Sequence, residues 1–146
     1  MQGPLNGFKI LDLSAVLSVP LATMWLADQG AEVIKGESFQ GDIVRYMGGG
    51  KHGITPSFLS ANRGKQAIAI DLKTPEGVTL LKQLAADVDV MVQNFRPGAI
   101  ERMGLGYTEI QAVNPEIIYC SISGFGETGP YSHKRVYDPV IQSLSG

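Results

Sequence analysis

Apolar residues in this chain follow two alternating patterns: short continuous runs, and longer segments with apolar positions three or four apart. Runs bounded by turn residues read as buried strands, and the wider spacing reads as amphipathic helix. Phe8 to Leu13 is the first run and predicts a strand. Ser14 to Val19 follows as a loop, with Pro20 where a helix favours its first residue. Leu21, Met24 and Trp25 then recur at helical spacing as the expected buried stripe, and Gly30 is a natural stop. Glu32 to Lys35 predicts a second strand. Strand, helix and strand within about thirty residues make a βαβ unit, which implies parallel strands and a right-handed crossover.

Gly36 to Pro56 is a long polar loop containing Gly48-Gly49-Gly50. Such a loop is functional or mobile, so it reads either as a lid over a ligand or as simple disorder. Phe58-Leu59 starts a short helix that ends near Asn62-Arg63-Gly64, and Ala67 to Leu72 is a third strand. Thr74 and Pro75 read as helix cap and first helical residue, with Val78, Leu81, Leu84 and Val88 as the buried face. Val90 to Gln93 predicts a fourth strand, and Pro97-Gly98 turns the chain just beyond it. Ala99 to Met103 is a short helix ended by Gly104 and Gly106. Thr108 with Gln111 forms a capping-box pattern for the next helix, which Asn114-Pro115 ends. Ile117 to Ser123 is a fifth strand. Asp138-Pro139 predicts a cap and a helix with Val140, Ile141 and Leu144 on one face. The sequence stops at Gly146 with that helix barely begun, which reads as a boundary inside a larger domain. Strands alternating with helices predict a doubly wound α/β domain, mainly parallel, with helices on both faces of the sheet.

Composition narrows the picture. The 146 residues are 44% hydrophobic and 18% charged, which is globular and enough for a real core. Twelve basic against 14 acidic residues give a net charge of −2 and no polybasic footprint, so nucleic acid is not an expected partner. Cys120 is the only cysteine, which excludes an internal disulfide or a cysteine-cluster zinc site and fits a reducing compartment. The most apolar segment, Ala15 to Ala27, is too short to span a bilayer, and the N-terminus lacks signal-peptide patterning. The expectation is therefore a cytoplasmic protein with no membrane partner.

Candidate chemistry concentrates after the fourth strand. Asn94, Phe95, Arg96 and Arg102 cluster at that strand's C-terminal end, the edge where open α/β sheets bind ligands. An amide, an aromatic ring and two guanidinium groups suit a ligand with a flat ring and negative charge. The alternative is a plain βα turn, with Phe95 packed inward and the arginines solvated. Gly124 to Gly129 matches the dinucleotide fingerprint in letters and follows a strand. Pro130-Tyr131-Ser132-His133 gives no helix start after it, so the match reads as a chance glycine-rich loop. Ser14 to Val19 also lacks that fingerprint after the first strand, which argues against a nicotinamide dinucleotide domain.

Five segments, in order along the chain, resemble family III CoA-transferases, the formyl-CoA and carnitine-CoA transferase family. They are Pro4 to Gly7 with Ile10 to Ser14; Leu26 to Lys35; Asn62 to Lys65 with Asp71 to Gly77; Asn94 to Gly98; and Ser123 to Gly126 with Gly129-Pro130, Tyr137-Asp138 and Gln142 to Gly146. The resemblance implies a Rossmann-like CoA-binding domain over residues 1–146, incomplete relative to the family's two-domain fold. It implies that Val16 and Leu17 line the pantetheine path, and that Ile70 and Lys73 lie beside the adenine and its phosphates. Asn94, Phe95 and Arg102 would hold the nucleotide, with Arg135 near the phosphate or thioester end. Each of these cations could equally be solvated, the usual fate of a lone Lys or Arg. Coenzyme A or acyl-CoA would be the substrate, a carboxylic acid the acceptor, and no metal is implied.

Family chemistry is acyl transfer through an aspartate whose carboxylate attacks the thioester. In the family pattern that aspartate lies beyond the Tyr-Asp…Ser-Gly segment, so no catalytic residue is expected among these 146 and the chain alone is expected to be inactive. Asp138 reads instead as a helix cap. Full-length members form interlocked homodimers. An acyl-CoA racemase on the same fold is an alternative, but that branch carries His where Tyr137 stands. A non-catalytic CoA-binding fragment is another. Two departures stand out: Ser18-Val19-Pro20 replaces the usual Ala-Gly-Pro, and Gly36 replaces an apolar residue and should weaken the second strand's end.

Overall fold

A computed structural model describes residues 3–52 and 54–146; Met1, Gln2 and Gly53 lie outside the described residues, the last within the loop expected from Gly36 to Pro56. Five strands, β1 (Lys9–Asp12), β2 (Glu32–Glu37), β3 (Gln66–Ala69), β4 (Val90–Gln93) and β5 (Ile118–Ser121), form one sheet. All pairings are parallel and the order is β3-β2-β1-β4-β5. The chain steps outward from β1 to β2 and β3, then returns to lay β4 on the other side of β1. The crevice between the C-terminal ends of β1 and β4 is therefore the topological switch point.

Side chains alternate across each strand, and both faces are covered. Leu11 and Met91 share a cluster with Leu81 and Ala85 of α3 (Pro75–Ala85), Ile100 of α4 (Ala99–Arg102) and Ile110 of α5 (Tyr107–Gln111). Ile10, Val33 and Val92 pack on the other face with Val19 of α1 (Ser18–Asp28). The doubly wound architecture expected from the alternation of elements is the one observed. No helix among the described residues is long and apolar enough to cross a membrane.

Several local expectations are corrected. α1 begins at Ser18 rather than Pro20, and it buries Val19, Pro20, Thr23 and Met24. Of the expected Leu21/Met24/Trp25 stripe only Met24 is buried: Leu21 is half-buried and Trp25 is 57% exposed. Thr23 turns the helix that way because its hydroxyl has a buried partner on β1, described below. Val19 fills the core and is wholly buried there. β2 is not weakened at Gly36: it runs on to Glu37, and Gly36 pairs with Ile68 of β3. A Cβ on Gly36 would lie 2.6 Å from Leu13 Cδ2, so its missing side chain makes room for Leu13.

Among its described residues the loop after β2 contains folded segments, against the simple-disorder reading for those segments. It contains a 3-10 turn at Ile43–Tyr46 capped by Asp42, then α2 (Pro56–Asn62) capped by Thr55. Asp42, Val44 and Thr55 are all buried. α5 starts at Tyr107 behind Gly106 and has no side-chain cap, so the Thr108–Gln111 box does not form. Asp138 is the first residue of α6 (Asp138–Ser145) rather than its cap, and its carboxylate accepts from Gln142.

Candidate functional site

The C-terminal end of β1 is built around a buried carboxylate. Asp12 is fully buried, and its register partner on β2 is Lys35, itself 1% exposed. Both follow apolar residues on the α1-facing side, Ile10 and Val33, by one alternation of the strand. A buried charge is tolerated only when paired and hydrogen-bonded. Lys65 reaches Asp12 at 2.9 Å and also donates to Pro20 O and Asn62 Oδ1. Thr23 Oγ1 donates to Asp12 at 2.6 Å, Ser14 N donates at 2.9 Å, and the Ser14 hydroxyl donates as well. Lys35 Nζ passes on to Ser14 O at 2.7 Å and to Asp42 at 3.2 Å. Among the described residues no buried side-chain polar atom lacks a partner.

Burial pushes the Asp12 carboxyl up, but Lys65, Lys35 and the hydroxyls of Ser14 and Thr23 outweigh it and hold the pKa below the ordinary carboxylate value. Lys65 goes the other way for a lysine in an ion pair. Burial pulls its ammonium down, and Asp12 does not fully restore it because Lys35 is also close. Asp12 has two cations and two hydroxyls, whereas Lys65 shares its carboxylate with a second cation.

This network ends at the Ala15–Leu17 peptide, beside the switch point. Asn94, just past β4, accepts from Ala15 N and donates to Ala15 O, both at 2.9 Å. The ends of β1 and β4 are thereby tied together. Val16 has φ of 74°, a left-handed conformation that costs a β-branched residue about 1–3 kcal/mol. Both Asp42 carboxylate oxygens accept from Val16 N at 3.2 Å. Leu17, next in line, is 52% exposed.

The remaining expected residues lie around the same sheet edge. Ile70 follows β3 and is buried in the core, its N–H bonded to Glu37 O. Lys73 is exposed in the turn after it, which packs tightly on α3: a Cβ on Gly77 would lie 2.0 Å from Asp71 O. Phe95 is half-buried and packs on the α3 side of the core, its N–H held by Gln93. Inward packing of Phe95, the plainer of its two readings, is thus present. Arg102 is exposed and folds back over Gly98, its Nη1 2.9 Å from where a Cβ would stand. Arg135 is exposed on the loop between β5 and α6. Direct bonds join the Ala15–Leu17 peptide to Asn94; the others share the edge without bonding it. The Gly124–Gly129 loop leads into bends and turns, with no helix until α6.

Between the ends of β2 and β3 an open concavity of about 430 Å³ is walled by Glu37, Phe39, Arg45, Tyr46 and Ala69 among others. None of the family-implied residues line it. Asp12, Lys35, Asp42 and Lys65 escaped sequence reasoning as a site. The available signal was a charge at a position the strand pattern reserves for burial, Asp12 at the end of one run and Lys35 at the end of the next. No group of His, Cys, Asp and Glu among the described residues is arranged to hold a metal ion.

The sequence pattern of CoA-transferase family III matches residues 5–146. The succinyl-CoA:glutarate CoA-transferase of Homo sapiens is 50% identical over 145 residues, covering 98% of this chain and 33% of that protein. The succinate–glutarate CoA-transferase of Agrobacterium fabrum is 41% identical, covering 98% of this chain and 38% of that protein. A crystal structure of a CaiB/BaiF family protein from Brucella suis matches with a TM-score of 0.94 at 41% identity, over 99% of this chain and 39% of that one. The chain thus spans between about a third and two fifths of the length of these relatives.

Proposed function

Since the chain belongs to CoA-transferase family III, we propose that its residues form the CoA-binding part of an enzyme that moves CoA from an acyl-CoA thioester to a carboxylic acid. The observation that carries this reading is the Ala15–Leu17 peptide, held at the switch point by Asn94 and Asp42 with Leu17 exposed. Pantetheine runs along that peptide. The exposed cations Lys73, Arg102 and Arg135 serve the phosphates, to which Arg in particular offers several donors at once. Ile70 and Phe95 back the adenine side, and residues 1–146 are the N-terminal part of the large domain.

The nucleophile is an aspartate supplied from outside these residues. Neither Asp12 nor Asp42 can act as that nucleophile, because both are buried and committed to Lys65 and Lys35. The incoming aspartate attacks the thioester carbonyl, forming a mixed anhydride and releasing CoA thiolate. The thiolate then attacks the aspartyl carbonyl, freeing the donor carboxylate and leaving an aspartyl-CoA thioester, from which the acceptor carboxylate takes CoA by the same two steps in reverse. Acyl groups and acceptors of the dicarboxylate class suit the reading, because the similar human and Agrobacterium proteins are named for succinyl-CoA, succinate and glutarate. The whole protein is read as a cytoplasmic homodimer.

Calorimetric titration of this chain with CoA tests the binding half. Saturable heat is expected, with Arg102→Ala weakening affinity by about tenfold at unchanged fold. No heat at millimolar CoA from a folded sample overturns the reading. CoA transfer by the 146-residue chain alone would overturn the external nucleophile.

A further inference from the structure

We propose that Asp42 is a positioning residue for the CoA site: held by Lys35, its carboxylate locks the Val16 peptide in its left-handed conformation. This rests on the CoA reading given above. Asn94 holds Ala15 from both sides but makes no bond to residue 16. The group acting on Val16 itself is Asp42, whose two oxygens both accept from Val16 N at 3.2 Å across 26 residues of chain. Asp42 is in turn fixed from several directions. Lys35 stands at 3.2 Å, and Val44 N donates to it at 3.1 Å. Its own N–H donates to Glu37, whose carboxylate is gripped by Arg45 through two bonds of 2.8 Å. The Arg45 guanidinium lies 3.7 Å over the Phe58 ring, and Thr55 Oγ1 donates to Val44 O at 2.7 Å.

A capping role for the 3-10 turn needs one acceptor oxygen and no buried countercharge. Asp42 has both oxygens on Val16 and is paired with a lysine that is 1% exposed. Its charge is therefore used for reach across to the β1 loop. Without it the Val16 peptide relaxes toward negative φ, and the binding-competent fraction falls, raising the apparent Kd by the reciprocal of that fraction.

Glycine adopts positive φ without steric cost, so it separates this role from a general one. CoA affinity is measured by calorimetry for Asp42→Ala in the native chain and in the Val16→Gly background. An affinity loss of about tenfold is expected in the first and under about twofold in the second. Equal losses in the two backgrounds, or no loss in the native one, overturn the proposal. Asp42→Asn keeps an acceptor without the charge. It stands in if Asp42→Ala does not fold, with a loss of about threefold and the same rescue expected. If the unmodified chain takes up no CoA, the CoA reading fails by itself. The positioning of Val16 is then read from amide exchange: its N–H should be protected in the native chain and exchange measurably faster in Asp42→Asn, which keeps one acceptor oxygen but loses the charge. Unchanged exchange overturns the proposal independently.

Discussion

The C-terminal end of β1 and the arm from β5 to α6 treat polarity in opposite ways. In the first, Asp12, Lys35 and Asp42 are buried and each has a charged partner. In the second, apolar side chains stand outside: Ile118 is 60% exposed, Leu144 66%, and α6 buries none of its residues. Burying charges is costly, so the first region is stable only because a strand register, α1, α2 and the folded loop meet there with complementary groups. A short helix draws its stability from packing an apolar face, and α6 has no residue fully buried, with only Ile141 half-buried beside Gly124. The first region depends on every member being present, and the second has little within this chain to lose.

Asp12→Ala tests that difference at its strongest. It leaves Lys65 and Lys35 buried with less negative charge, and a loss of about 3–5 kcal/mol is expected in urea unfolding. A change below about 1 kcal/mol would show that the network is dispensable. Thr23→Val removes a bond to the same carboxylate and should cost about 1.5–3 kcal/mol by the same measurement. Gly36→Val drives a side chain into Leu13 and should cost about 1–3 kcal/mol, whereas the weak-strand reading of Gly36 would have it stabilise.

Acid resolves the network by a different lever. The folded pKa of Asp12 lies below its unfolded value, so the folded state binds that proton less readily. Its stabilising contribution is full above the unfolded carboxylate value and is lost as pH falls through the lower folded one. Glu37 adds in the same direction: burial pushes it up, but its bonds to Arg45 and to the Asp42 N–H win. Urea midpoints should fall below about pH 4, and Asp12→Asn should shrink that fall. An unaltered acid limb in that variant would remove Asp12 from it. The smallest effect is expected in the arm: Leu144→Ser should stay within about 0.5 kcal/mol in this chain. A larger loss would show that α6 is packed after all.

Much of the architecture was legible in the chain. Apolar runs at Phe8, Glu32, Ala67, Val90 and Ile117 each lie on an observed strand, and Thr74-Pro75 marks the start of α3 as the capping chemistry requires. Local signals misled where a competing contact decided. Trp25 obeyed helical spacing, yet α1 turns Thr23 inward because Asp12 waits there. Gly36 looked like a weak point, yet Leu13 lies over it and needs the space. The candidate site was legible as an edge, from Asn94 and the cations near it, but its framework was not. Asp42 sat in a loop whose glycines suggested disorder, and nothing local links it to Val16.

Sequence alone determined the alternation of strands and helices and the doubly wound class, because periodicity, caps and turn residues act over a few positions, and its five motif segments carried the resemblance to the family. The tertiary structure decided the rest. Parallel register set Asp12 beside Lys35, the strand order put Asn94 against Ala15, and loop folding brought Asp42 onto Val16. Those pairings join residues 23, 79 and 26 positions apart. Charges buried together are tolerated only in that geometry, so the site exists as a property of the assembled sheet rather than of any one segment.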